Sequence, residues 1–435
     1  MRILLLSILI ISGVAANAQQ DTLLLEDAFV IGLENNYDIK IAGYDRDIAI
    51  NNYRIGNAGF LPEIFLTGGR NYSTQSVNQQ FITGDQVERS GAKSNNWNAA
   101  ANLNWILFDG MRMFRTYDRL SELQQVGILN ERIQVENTVQ DIILGYYLIA
   151  IETSSVAVLD SSLRLSAERV EIAKSKYEVG KGTKAEYLTA QVDYNTDYST
   201  LIKAREALQK SKHNLNEILA REITTPILVT SLIPIDSSLQ VSDLRNEMLS
   251  ANRQLTRARN LVTIARLQTR EIQGEKLPVV GANASYNYSK QSAEAGFLLS
   301  NQVNGLNYGF TIRLNVFSGG NINRRIQNNK MLEEISETEL EQTELTLIRD
   351  LENIYLEYVN NVQLVKLEQR NLDVALESAD IALDRYRFGS SSFIELRDAQ
   401  INAVRAYGRL LSATYNTKLA ETELLRLSGR LVSDN

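Results

Sequence analysis

The chain has 435 residues, a formal net charge of −7, four prolines, one histidine and no cysteine. The acidic balance argues against a nucleic-acid partner, which needs Lys and Arg clustered on one face, and without cysteine no disulfide framework can form. So few prolines leave long stretches free to be helical.

The N-terminus carries Arg2, an apolar run from Ile3 to Ile11, and Ala16-Asn17-Ala18. These are the parts of a secretory signal peptide over 1–18, too short and wrongly flanked for a spanning helix. Beyond it no apolar run approaches the roughly 20 residues of a membrane-crossing helix. An exported chain of this kind can enter a membrane only with strands.

A first repeat occupies 19–222. Leu24 to Asn57 reads as one helix, ended by Gly56 and Gly59 before Pro62 opens a different pattern. Strands follow at about 62–75 and 97–108, separated by a polar stretch from Ser76 to Asn96. In the second strand Ala99, Ala101, Leu103, Trp105 and Leu107 alternate with Asn98, Asn102 and Asn104. The first is less regular, because Arg70 shares the parity of Ile64, Leu66 and Tyr72. Phe108-Asp109-Gly110 then supplies a capping oxygen and a flexible strand-to-helix corner. The long helix 110–179 extends on the order of 100 Å, with a heptad seam through Ile142, Ile149, Val156, Leu163, Val170, Ala173 and Tyr177. It turns at Gly180, and a helix returns over 183–220.

An irregular connector, 223–239, holds Pro226 and Pro234 and leads into a second repeat over 240–430. Its strands, at about 278–289 and 307–317, alternate more cleanly. Ala282, Ala284, Tyr286 and Tyr288 oppose Asn283, Ser285 and Asn287; Tyr308, Phe310, Ile312, Leu314 and Val316 oppose Asn307, Thr311, Arg313 and Asn315. The corner Phe317-Ser318-Gly319, the long helix 319–388, the turn at Gly389, the returning helix 392–427 and a tail at 431–435 complete it. The second seam includes Leu340, Leu347, Leu351, Ile354, Tyr358, Val365, Leu372, Ala375, Ala379, Ala382 and Tyr386. Lys176-Tyr177-Glu178-Val179-Gly180 thus recurs as Arg385-Tyr386-Arg387-Phe388-Gly389, and Glu186…Ala190-Gln191 as Glu395…Ala399-Gln400.

Strands of this length, apolar on one face and Asn, Ser and Thr on the other, suit an outer-membrane barrel with a wet lumen better than a soluble hairpin packed on a helix. Four cannot close, and an open edge facing lipid leaves backbone groups unsatisfied at several kcal/mol each. Several copies must share one barrel, so a homo-oligomer is expected. The fold class is mainly α with a four-strand β contribution: a long antiparallel coiled-coil barrel fused to an oligomeric transmembrane β-barrel, in two tandem repeats.

These doubled motifs, Phe-Asp/Ser-Gly after the strands and Tyr-x-x-Gly…Ala-Gln at the turns, resemble the TolC family of outer-membrane efflux proteins over nearly all of the mature chain. The resemblance implies a homotrimer in outer-membrane lipid, reaching into the periplasm. It implies a periplasmic adaptor (membrane fusion protein) and, through it, an inner-membrane transporter. It implies adaptor docking at Val179, Gly180 and Lys181 and at Arg387, Phe388 and Gly389. It further implies a periplasmic constriction at Glu186, Tyr386, Glu395 and Asp398, the last two placing carboxylates around the threefold axis. Where some relatives have an arginine that ties Tyr and Asp partners together, this chain has Ser391, leaving Arg385 or Arg397 as alternatives.

No catalytic constellation stands out, and no cofactor or metal is expected. His213, in Lys210-Ser-Lys-His-Asn, has no second ligand at zinc spacing and reads as a surface residue. With no Walker loop, energy must come from a partner. The leading expectation is a passive exit duct for efflux or secretion. The alternative is a non-transporting coiled-coil envelope scaffold, for which the strand pairs would be unnecessary.

Overall fold

A computed structural model describes residues 22–296 and 298–432. The expected signal peptide lies outside the described residues. The helices are α1 (Leu25–Asn35), α2 (Tyr37–Asn52), α3 (Arg112–Glu178), α4 (Lys184–Ile218), α5 (Val241–Ala251), α6 (Arg253–Gly274), α7 (Asn321–Arg387) and α8 (Phe393–Ser428). The strands are β1 (Glu63–Gln80), β2 (Gln86–Phe108), β3 (Val279–Ala293) and β4 (Ser300–Arg313). The described residues form two compact units, one within 40–134 and 247–350, the other within 22–39, 135–246 and 351–432. Each unit draws on both sequence repeats.

In the first unit the four strands form one antiparallel sheet in the order β1-β2-β3-β4. Alternation assigns its faces. One carries Ile64 and Leu66, paired with Leu103 and Ala101, which pair in turn with Ala284 and Tyr286, then Tyr308 and Leu306. The other carries Asn102, whose Nδ2 donates to Thr67 Oγ1 at 3.3 Å, and Ser73 bonded to Ser94 at 2.8 Å. Arg70 does share the apolar parity, as its sequence position implied.

Three expectations are corrected here. The strand expected at about 307–317 runs over Ser300–Arg313 and leaves Leu314 and Val316 outside it, because the ladder ends at the Val279–Arg313 pair, where the next residue, Pro278, has no N–H to donate. The polar stretch Ser76–Asn96 is mostly strand: β1 and β2 run on past the apolar band to a short turn in which Phe81 N–H donates to Asp85 O. Polar side chains are no obstacle to pairing where both faces meet water. The helix expected from Leu24 to Asn57 is two helices, broken at Asn36. The buried Asn36 side chain accepts from the N–H groups of Asp38 and Ile39 at 2.9 and 3.1 Å while its Nδ2 donates to Ile218 O at 2.8 Å. Asn252 interrupts the second repeat likewise, capping α6 through Leu255 N–H at 3.0 Å. Asparagine competes for backbone hydrogen bonds and so starts a helix as readily as it sits in one.

The corners behave differently from each other. Asp109 accepts from Met113 N–H through both carboxylate oxygens, at 3.1 and 3.0 Å. Gly110 has φ 77°, and a Cβ there would run into the carbonyl of Gly274, so only glycine fits. Phe317-Ser318-Gly319 is the looser corner: Ser318 contributes its backbone carbonyl to Asn321 rather than a hydroxyl cap, while Phe317 is exposed.

The second unit is cored by Ala28, Ile142, Tyr146, Ile149, Leu215, Leu219 and Ile227. Gly32 permits close approach, since a Cβ would clash with Ile142 Cδ1. Tyr146 Oη donates to Leu23 O at 2.9 Å, fixing the chain that enters α1. By length and composition α3 would pass as a membrane span, with an 18-residue window of mean hydropathy 1.8, against the expectation that no such run exists. Its apolar residues include Ile142, Tyr146 and Ile149 of this core, which accounts for their hydropathy without a bilayer. The α7 seam is buried at Leu351, Tyr358, Leu372, Ala382 and Tyr386. The α3 seam is buried at Ile142, Ile149 and Ala173, but Tyr177 at its end is exposed and stacks on Tyr187.

Candidate functional site

Both helical turns lie in this second unit and are built alike. Gly180 and Gly389 each take φ 75°, a conformation that suits glycine. The N–H of Lys181 returns to Lys176 O and that of Ser390 to Arg385 O, both at 2.8 Å. Thr183 and Ser392 then cap α4 and α8, accepting from Glu186 N–H at 3.1 Å and Glu395 N–H at 3.2 Å. Each S/T-x-x-E sequence is therefore a helix start with its Glu at the third helical position.

The turns present Val179, 68 % exposed, and Phe388, 86 % exposed. Lys181 is exposed beside the first. Arg387 is tied back instead: its Nε and Nη2 donate to Glu168 Oε1 at 3.0 and 2.8 Å, linking the second-repeat turn to α3 of the first repeat.

Of the expected constriction residues, the structure brings Tyr386 and Glu186 together across the repeats. Tyr386 is 1 % exposed, clustered with Ala382 and Leu396 under Ile172 and Phe393. Its hydroxyl donates to Glu186 Oε1 at 3.5 Å, and Lys176 Nζ lies 3.9 Å from its ring centroid. Burial first, then the Glu186 carboxylate, pushes its phenol up to about 12. Glu395 stands apart from that pair, accepting from Arg385 Nη1 at 2.8 Å and from the Ser391 hydroxyl at 3.0 Å. Asp398 is exposed and bonds to no described residue. At the departure from the family pattern, the Ser391 hydroxyl thus shares a carboxylate with Arg385.

Of the most constrained residues here, the sequence singles out Arg397 and Gln400 but not Arg169, Asp193 or Asp197. Arg169 is fully buried in α3. Its Nη1 donates to Gln400 Oε1 and its Nη2 to Asp193 Oδ2, both at 2.8 Å, with its guanidinium 4.5 Å over the Phe393 ring. Arg397 holds Asp197 with both Nη groups, at 2.7 and 2.9 Å, and reaches Asp193 at 3.5 Å through Nε. Gln400 Nε2 donates to Ser162 and Ser166, and Ser166 donates to Asp197. Two guanidinium groups and two carboxylates offset each other's charge and bind α3, α4 and α8 together. Burial lowers the Arg169 pKa, with Asp193 acting against it. The available signal was a charge at seam spacing: Ser166, Arg169 and Ala173 are all buried.

Among the described residues no group of three or more His, Asp or Glu is placed to hold a metal ion. His213 lies exposed on α4. The unit is suited to holding helices in register and presenting two turns.

The family described as outer membrane efflux protein matches residues 31–221 and 244–430. Alkaline protease secretion protein AprF of Pseudomonas aeruginosa is 21 % identical over 428 residues, covering 94 % of this chain and 86 % of that protein. Outer membrane protein TolC of Escherichia coli K12 is 19 % identical over 406 residues, covering 91 % of this chain and 80 % of that protein. The outer-membrane channel OprN superimposes with a TM-score of 0.79 at 16 % identity, over 93 % of this chain and 89 % of OprN.

Proposed function

The chain belongs to the outer membrane efflux protein family, and from that membership we propose a homotrimeric exit duct, fed through a periplasmic adaptor by an inner-membrane transporter. Family and fold are those of outer-membrane channels rather than enzymes. The observation that carries the duct reading is the sheet: four strands, apolar on one face and Asn, Ser and Thr on the other, with β1 and β4 as open edges. Three copies would pair those edges into one closed barrel, within the size range of spanning barrels. Exposed apolar stripes support self-association, Ile41, Tyr44 and Ile48 on α2 in one unit and Leu188 and Val192 on α4 in the other.

For the constriction, we propose that Asp398 supplies the carboxylate ring, because Glu395 is already paired with Arg385. Such a ring favours cations. In planar bilayers Asp398→Ala should lower cation selectivity and blockade by multivalent cations; unchanged selectivity would remove the assignment.

For adaptor docking, the unpartnered Val179 and Phe388 at the turns support an apolar contact. Phe388→Ser and Lys181→Glu should abolish transport in cells while leaving the strand segments protected from protease. Arg387 is a poorer probe, since reversing its charge also breaks the pair with Glu168. Normal transport in both variants would defeat the docking reading.

A further inference from the structure

The chain has two tryptophans, and both lie on β2. Trp97 and Trp105 share the apolar face, about 27 Å apart along the strand. Tilted as barrel strands are, that separation becomes roughly 20 Å of membrane depth, close to the apolar band such barrels present. Trp105 marks the helix-side edge of the band, its Nε1 donating to Phe60 O at 2.9 Å. Trp97 marks the hairpin-side edge.

At that upper edge the register sets one cationic row. Arg70 on β1 pairs with Trp97, and Trp97 pairs with Lys290 on β3. Arg70 and Lys290 sit on the strands either side of Trp97, and the backbones of those two strands are about 10 Å apart. Arg70 Nε donates to Asn95 Oδ1 at 3.1 Å, and its guanidinium carbon lies 4.6 Å from the Tyr72 ring centroid and 4.8 Å from that of Trp97. Held in this way, its Nη groups donate to no described residue. Lys290 is exposed and likewise makes no ion pair with a described residue. No acid occurs on this face between the row and the band below it, where Gly68, Ala99 and Tyr288 are followed by Leu66, Ala101 and Tyr286.

We propose that the Arg70, Trp97 and Lys290 row binds the phosphorylated headgroup of an outer-leaflet lipid. A guanidinium with a fixed plane and free Nη groups suits phosphate oxygens, and Lys290 adds a second point charge. The acyl chains would then lie along Tyr288, Tyr286 and the aliphatic residues beneath. Cations that merely snorkel to the interface would show no preference for a particular lipid. The proposal rests on the outer-membrane reading, which puts the hairpin ends in the outer leaflet.

The test uses the full oligomer in zwitterionic vesicles doped with lipid A, or with its dephosphorylated form bearing the same chains. Retained lipid is counted by native mass spectrometry after mild delipidation, and protease protection of the strands is read on the same vesicles. Wild type should retain lipid A at least tenfold over the dephosphorylated lipid. Arg70→Gln with Lys290→Gln should lose that retention tenfold with the strands still protected. Equal retention by the variant, or of the two lipids by wild type, overturns the proposal. Cleavage of the wild-type strands overturns the outer-membrane reading beneath it.

Discussion

Tyr386 was legible as half of a repeated motif, but its burial was not, because Tyr177 occupies the matching place and is exposed. What separates them is the neighbourhood: Tyr386 is covered by Ile172 from the other repeat and by Phe393. The consequence can be titrated. The folded chain keeps the Tyr386 phenol neutral to about 12, while an unfolded tyrosine ionises near pH 10. Its contribution to stability is therefore full below about pH 10 and is lost as pH rises towards 12. Tyr386→Phe should flatten the alkaline loss of thermal stability over that window. Glu186→Gln, by removing the second cause and leaving burial, should lower the phenol's pKa yet keep it above the ordinary value, as read by phenolate absorbance against Tyr386→Phe.

At the level of elements, long helices and turns could be read from glycine, proline and heptad spacing, and the observed ends fall within two residues of those expected. The Asn36 and Asn252 breaks were hidden because asparagine interrupts no periodicity and the signal is a hydrogen bond. The network around Arg169 was hidden because its members come from three helices far apart in sequence. It should be unequal in its parts. Asp193→Ala leaves a buried guanidinium without its carboxylate and should cost about 3 kcal/mol. Arg169→Met should cost less, since Asp193 retains Arg397. Hydrogen-exchange protection of α3 around 162–173 would report both; equal losses would argue that Asp193 is held by packing alone.

On the scale of the whole molecule, the strand alternation in sequence already carried the membrane reading, whereas the length of the hairpins did not, because polar strands in water look like loops. The two tryptophans give a depth marker. With quenchers placed at graded depths in the lipid, both Trp97 and Trp105 should quench best from shallow positions, and a tryptophan substituted for Ala101 on the same face from the deepest; deep quenching of Trp97 would move the band.

The pairing of β2 with β3 also bears on how the chain is made. These neighbours in the sheet are separated in sequence by α3, α4, α5 and α6. The β1–β2 hairpin is therefore made long before its partner, with a bare edge on β2 as well as on β1, and ordered growth of the sheet waits on the second half of the chain. For that interval the half-finished sheet carries strand edges open to pairing with another chain.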